Sequence, residues 1–235
     1  MNSKPCFCYN STMIKLIVFD WDDVFTLGSK EGYINCLRST LKKLNIDLGP
    51  EEEKRRILQT WSKPHKEELR NLLKEQPELL DRACKIYEEL FFNGEFVKNL
   101  TLVDGTNDLL KRLKENYILA VATGAHPKVL KDEVFVKFGI PDVFSQIMFT
   151  YEIDDPSLHK PHRYMLEKIM KDQGTVPNET IYVGDAQNDV LMARNAHVMP
   201  VVVLTGHLDR KEAEDLGVEH IIEKVTDIEN LLNNL

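Results

Sequence analysis

Ile14-Lys15-Leu16-Ile17-Val18-Phe19-Asp20-Trp21-Asp22 is the stretch on which the architecture turns. Its first six residues are mostly apolar, rich in β-branched and aromatic side chains, and they stop at charge. A short run of that kind reads as a buried strand. Such strands belong to parallel sheets covered on both faces. In those sheets ligands bind beyond the carboxyl ends of the strands, so Asp20 and Asp22 stand where chemistry is usually done. Side chains alternate along a strand, so the two carboxylates point the same way while extended geometry lasts. Two anions that close repel unless a cation or a shared proton relieves them. A divalent metal is the obvious relief.

After residue 100 the chain alternates between strand and helix patterns. Helices are predicted over Asn107–Glu115, from Pro127 to about Phe138, and over Pro161–Lys171, Asp189–Asn195, Arg210–Leu216 and Asp227–Leu232. Strands are predicted over Tyr117–Ala122, Gln146–Thr150, Thr180–Val183, Val201–Leu204 and His220–Ile222. Repeated β-α units mean an α/β fold, a Rossmann-like, doubly wound, mainly parallel sheet. Residues 28–100 break the rhythm. They read as helices only, near Tyr33–Leu44, Glu51–Thr60, Lys66–Lys74 and Glu78–Phe92, with Pro50, Pro64 and Pro77 at the joints. The expected organisation is a core of residues 13–27 and 101–235, a helical cap of residues 28–100 inserted after the first strand, and a loose tail of residues 1–12.

Composition narrows the function classes. The chain has 235 residues and a formal net charge of −8 at pH 7. That charge gives a nucleic-acid-binding role no electrostatic support. No stretch approaches the ~20 apolar residues of a membrane span. Residues 1–12 lack the apolar centre of a signal peptide. Cys6, Cys8, Cys36 and Cys84 form no pair of CxxC motifs and read as reduced thiols of a cytoplasmic protein. A zinc site at Cys6-x-Cys8 is the minor alternative.

Four places carry candidate chemistry: Asp20-Trp21-Asp22, Thr123-Gly124, Lys160-Pro161, and Gly184-Asp185 with Asp189. Each alone has a plain explanation as a helix cap, a turn, a solvated charge, or an acid favoured by a helix dipole. Their joint occurrence in this order is another matter. The chain resembles the haloacid dehalogenase-like superfamily of phosphohydrolases through Val18-Phe19-Asp20-Trp21-Asp22, Val121-Ala122-Thr123-Gly124, Lys160-Pro161, and Val183-Gly184-Asp185-Ala186-Gln187-Asn188-Asp189. The resemblance covers nearly the whole chain from Ile14. The insert resembles the helical cap of the phosphoglycolate phosphatase and β-phosphoglucomutase branch.

The resemblance implies a Mg²⁺-dependent phosphatase acting on a small phosphorylated metabolite. It makes Asp20 the nucleophile, forming an aspartyl phosphate, and Asp22 the general acid and base. Thr123 and Gly124 bind phosphate oxygens, with Trp21 also placed at the phosphate. Lys160 neutralises the phosphate and Asp20. Asp20, Asp185 and the backbone carbonyl of Asp22 hold Mg²⁺. Asp189 acts through a metal-bound water or by orienting Lys160. Asp23 departs from the family pattern, which has glycine there; a positive φ would be tolerated better by Asp than by most other residues.

His126, His159 and His162 read as rim or surface histidines, with substrate contact the sharper alternative. Trp61, Lys63 and His65 suggest a helix–helix joint. Phe25 and Leu27 are expected to line the closed cleft, and Phe91 and Phe92 to pack within the cap or at its hinge. The hinges are expected near Leu27 and Thr101. A monomer or weak homodimer is expected. The rival functions are a phosphosugar mutase of the β-phosphoglucomutase type, a dehalogenase, and a non-catalytic binding protein on the same fold. The presence of Asp20, Asp22, Lys160 and Asp185 together argues against the last two.

Overall fold

The computed structural model describes residues 13–60 and 65–235. Cys6, Cys8, Trp61 and Lys63 lie outside the described residues. The chain divides into two compact units: one runs to Leu27 and resumes at Thr101–Leu235, and the other is Gly28–Leu100.

The first unit begins with strand β1 (Leu16–Phe19), all four residues buried. A two-residue strand β2 (Thr26–Leu27) leads out of the unit. Helices α1 (Ser29–Lys43), α2 (Pro50–Gln59), α3 (His65–Leu72) and α4 (Leu80–Phe91) make up the second unit. A two-residue strand β3 (Thr101–Leu102) re-enters the first and pairs antiparallel with β2. Then follow α5 (Thr106–Lys114), β4 (Ile118–Thr123), α6 (Phe135–Phe138), β5 (Phe144–Phe149), α7 (Tyr164–Gln173), β6 (Thr180–Gly184), α8 (Gln187–Asn195), β7 (Met199–Val203), α9 (Arg210–Asp215), β8 (His220–Ile222) and α10 (Ile228–Leu232).

The six longer strands form one parallel sheet in the order β5-β4-β1-β6-β7-β8. The connections run from β1 outward through β4 to β5, then cross back past β1 to β6, β7 and β8. Strand order therefore reverses between β1 and β6, and a crevice for ligands is expected at their carboxyl ends. Register puts Phe19 level with both Val121 and Val183, so Asp20 leaves the sheet at the reversal. On one face Leu16, Val18, Ala120, Leu166, Ile169 and Met192 form an apolar core. Elsewhere Trp21 packs within 5.0 Å of Phe25 and 4.8 Å of Phe135, ring centre to ring centre. Phe25 is fully buried in this aromatic group, and its expected cleft-lining role is replaced by core packing.

Two helical segments differ from expectation, one in its winding and one in its start. The segment after Pro127 winds as a π-helix over Val129–Val134 before α6. An i→i+5 winding changes which side chains share a face, and a 3.6-residue period does not anticipate it. The helix expected from Pro161 begins at Tyr164. Lys160-Pro161 instead occupies a turn with a cis peptide bond, closed by the His162 N–H on the His159 carbonyl at 2.8 Å. The paired two-residue strands at residues 26–27 and 101–102 went unforeseen, because they are too short for any alternation to register.

The second unit has its own core. Tyr33, Tyr87, Phe91 and Phe96 form a chain of ring contacts, and His65 stacks on Tyr87 at 4.9 Å. Phe91 belongs to that core, as expected of cap packing. Buried Arg56 ties α2 to the end of α3, donating to the Leu72 carbonyl at 2.9 Å and to Glu75 at 2.6 and 2.7 Å. Among the described residues no helix is long and apolar enough to cross a membrane.

Two substitutions test this packing. A Cβ at Gly32 would stand 2.6 Å from the Phe96 carbonyl oxygen and 2.9 Å from its ring. Gly32→Ala is expected to lower stability by about 1–3 kcal/mol in a denaturant titration, because a backbone atom must yield. Burial raises the Glu68 carboxyl from 4.5 to about 7. The folded state thus holds a proton that the unfolded state releases, and stability present below pH 4.5 is lost as pH rises through 7. Glu68→Gln should remove that loss. Relative to wild type it should gain on the order of 1 kcal/mol between pH 5 and pH 8, discounted for partial solvent access.

Candidate active site

The carboxyl ends of β1, β4 and β6 bring four of the predicted places together. Asp20 follows β1, and its N–H donates to the Val183 carbonyl at 2.8 Å. Lys160, from the turn before α7, stands 3.1 Å from Asp20 Oδ2. It also donates to Asp189 Oδ1 at 2.9 Å and to Tyr182 Oη at 2.7 Å. An ammonium has three N–H donors, and these three acceptors use them all.

Asp189 lies in the first turn of α8. Its Oδ1 accepts from Lys160 and from Tyr182 Oη, the latter at 2.9 Å. Its Oδ2 accepts from the backbone N–H groups of Asp185 and Ala186 at 3.2 and 3.1 Å. The carboxylate caps its own helix with one oxygen and holds Lys160 with the other. Gly184 makes room for it, since a Cβ there would stand 2.5 Å from Asp189.

Asp185 is buried, and its Oδ2 accepts from the His207 backbone N–H at 2.9 Å and from His207 Nδ1 at 2.7 Å. Asp20, Asp185 and Asp189 each place a carboxylate oxygen within 4.8 Å of the others. Three carboxylates thus face one ammonium. Burial, against the pull of Lys160 and with the push of Asp189 and Asp185, raises the Asp20 carboxyl to about 6. Burial alone would lower Lys160, but Asp189 and Asp20 outweigh it and hold the ammonium above its ordinary value. Burial and the same anions hold the Tyr182 phenol well above its usual range. A divalent cation would relieve this excess of anionic charge. An all-oxygen donor set suits a hard ion, so the residues fit Mg²⁺. With both oxygens of Asp189 already filled, Asp20 and Asp185 are the carboxylates left to hold it.

Thr123 ends β4. Its hydroxyl oxygen accepts from the Ala125 N–H at 3.1 Å, which leaves the hydroxyl proton to donate. Its carbonyl accepts from Thr150 Oγ1 at 3.2 Å. Gly124 has open space, with nothing within 4 Å of a Cβ built on it. The fold itself therefore does not require glycine there. Asp22 is half-buried and bridged to Thr26, and its charge reaches the Tyr151 phenol. Trp21 is fully buried among aromatic rings. Its indole lies away from any phosphate, and its backbone N–H donates to Asp20 Oδ1 at 2.8 Å. Any phosphate contact from Trp21 is thereby restricted to the backbone. Asp23 does take a positive φ, 56°, in the left-handed region that Asp tolerates.

The three histidines beside these motifs serve local structure. His126 Nδ1 accepts from the Lys128 N–H at 3.2 Å, and its ring meets Tyr151 edge-on at 4.9 Å. His159 Nε2 lies 3.0 Å from the Ile153 carbonyl. His162 Nδ1 accepts from the Tyr164 N–H at 3.1 Å.

Tyr182 and His207 escaped the sequence reading. Tyr182 looks like one more apolar strand residue, although an aromatic with a polar tip, two residues before Gly184, points to the same side as that glycine. His207 had a clearer signal. Thr205-Gly206-His207 follows a strand just as Thr123-Gly124 does, with His126 two residues on. Tyr182→Phe would remove an acceptor from Lys160 and a donor from Asp189. It is expected to lower stability by about 1–2 kcal/mol, read as a shifted denaturation midpoint with an unchanged slope.

A family model described as haloacid dehalogenase-like hydrolase matches residues 17–203. A phosphoglycolate phosphatase of Haemophilus influenzae is 27% identical over 217 residues, covering 84% of this chain and 88% of that one. A phosphoserine phosphatase of Methanocaldococcus jannaschii is 26% identical over 191 residues, covering 77% and 82%. Among solved structures, a HAD-superfamily hydrolase of subfamily IA from Geobacter sulfurreducens superposes with a TM-score of 0.73 at 24% identity, covering 95% of this chain and 98% of that one. That last likeness is one of fold.

Proposed function

Since this chain belongs to the haloacid dehalogenase-like hydrolase family as a phosphohydrolase, we propose that it hydrolyses a small phosphate monoester with Asp20 as nucleophile and Mg²⁺ as cofactor. The observation that carries this reading is the Lys160 ammonium, held 3.1 Å from Asp20 by Asp189 and Tyr182 at the point where strand order reverses.

In the first step an Asp20 oxygen bonds to phosphorus as the ester P–O bond breaks. The electron pair leaves on the alcohol oxygen, which takes its proton from Asp22. In the second, Asp22 removes a proton from water, the water oxygen bonds to phosphorus, and the acyl phosphate opens to free phosphate and Asp20. Lys160 offsets negative charge on the transferring group, and the Thr123 hydroxyl and Gly124 N–H donate to its oxygens. Open space at Gly124 suits close approach of a phosphate. Bound Mg²⁺, held by Asp20, Asp185 and the Asp22 carbonyl, would supply charge neutralisation at the phosphate. Asp189 positions Lys160 and is not a direct metal ligand in this reading. The names of the two relatives point to small phosphorylated acids as first substrates to try.

A panel of phosphate monoesters, including phosphoglycolate and phosphoserine, should reveal Mg²⁺-dependent phosphate release that chelator abolishes. Asp20→Asn should reduce turnover at least about 10³-fold, and Asp22→Asn about 10²–10⁴-fold, the usual range for a lost general acid. Release undiminished in Asp20→Asn would assign the nucleophile elsewhere.

A further inference from the structure

The loop after β7 closes around Asp185. Besides the two contacts from His207 to Oδ2, the Leu208 N–H donates to the Asp185 carbonyl at 2.9 Å. Gly206 permits that fit, because a Cβ there would stand 2.0 Å from Asp185 Oδ2. The same loop reaches the segment after β1: Thr205 Oγ1 donates to the Asp23 carbonyl at 2.6 Å. One ligand atom from each of Asp23, Asp185 and His207 lies within 4.8 Å of the others. Asp185 is thus common to two donor sets. The one it shares with Asp20 is all oxygen. The one it shares with Asp23 and His207 contains an imidazole nitrogen.

The two sets do not prefer the same ions. Mg²⁺ takes oxygen donors and keeps much of its water, whereas imidazole suits the later first-row divalent ions. The His207 side chain is 54% exposed. Without an ion the Nδ1–H donates to Asp185 Oδ2; an ion entering there would take the place of that proton, the ring keeping its one proton on Nε2, facing water, and offering the Nδ1 lone pair. Asp23 holds a φ of 56°, a conformation glycine takes most readily, so the backbone does not demand a carboxylate there.

We propose that Asp23 and His207 set the cation preference of the site, adding a carboxylate and an imidazole nitrogen beside Asp185 that favour a late first-row divalent ion over Mg²⁺. The proposal rests on the reading that Asp20 and Asp185 hold the metal of the reaction.

Calorimetric titration of the full chain with MgCl₂ and with CoCl₂ tests it, with the visible spectrum of bound Co²⁺ as a second readout. His207→Ala should weaken Co²⁺ binding about 10–100-fold, change Mg²⁺ binding less than about 3-fold, and shift the Co²⁺ spectrum. Asp23→Asn should weaken Co²⁺ about 10-fold. His207→Asn keeps an N–H donor near the place of Nδ1 but lacks the imidazole, and it should behave as His207→Ala does toward Co²⁺. Circular dichroism checks that each variant folds. Equal weakening of both ions by His207→Ala, an unchanged Co²⁺ spectrum, or full recovery in His207→Asn would overturn the proposal and leave His207 as a support for Asp185. Asp185→Asn separates the two readings: unaltered binding of both ions in that variant would remove the metal from Asp185 altogether.

Discussion

The ammonium of Lys160 is the constraint around which the site is built. It is largely withdrawn from water, and a buried cation persists only with partners for its charge and its protons. Asp20, Asp189 and Tyr182 supply them from three different elements. Each partner is fixed by other bonds. Tyr182 also reaches the Ala122 carbonyl at 3.1 Å, joining β6 to β4. Asp189 is pinned by two backbone N–H groups at the start of α8. Phosphoryl transfer gains from such a fixed field, because positioning and charge neutralisation, rather than covalent chemistry on many groups, carry the reaction.

The charge balance around Lys160 is deliberately incomplete in physical terms. Two carboxylates contact the ammonium and a third, Asp185, lies beside them, and the half-buried Asp20 is left with a weakened hold on its charge. A site of that kind is poised for a cation and for the transfer of charge onto phosphate. The loop carrying Gly206 and His207 adds a second layer, gripping the Asp185 carboxylate. The glycine there answers to a steric demand and not to a turn, since the Asp185 carboxylate occupies the space its side chain would take.

Much of the core was legible because a parallel sheet writes itself as short apolar runs that end in charge. β1, β4, β6 and β8 each fell within two residues of the expected bounds. Three of the four motif regions were legible for the same reason: they stand at strand ends, whereas Lys160-Pro161 lies in the turn before α7. Legibility failed where a residue's neighbours are remote in sequence. Trp21, flanked by two site carboxylates, reads as a phosphate contact, but the aromatic group of Phe25, Phe135 and Phe144 takes its indole inward. Phe25 was placed in a cleft and lies in the same group. Local turn geometry was also hidden. The π-wound segment over Val129–Val134 and the turn at Lys160-Pro161 leave no periodic trace.

From its own pattern the sequence determined an α/β core, an all-helical insert, and a short set of acids, a threonine and a lysine, to which the family resemblance lends the chemistry of phosphoryl transfer. Those follow from local periodicity and from side-chain type, both written residue by residue. Only the tertiary structure decided what each of those groups does to the others. It bonded Asp189 to Lys160, one of the two roles the sequence left open, made Tyr182 part of the site, and brought His207 and Asp23 to Asp185. Distances between side chains from different strands depend on sheet order and register, and no local stretch of sequence carries that information.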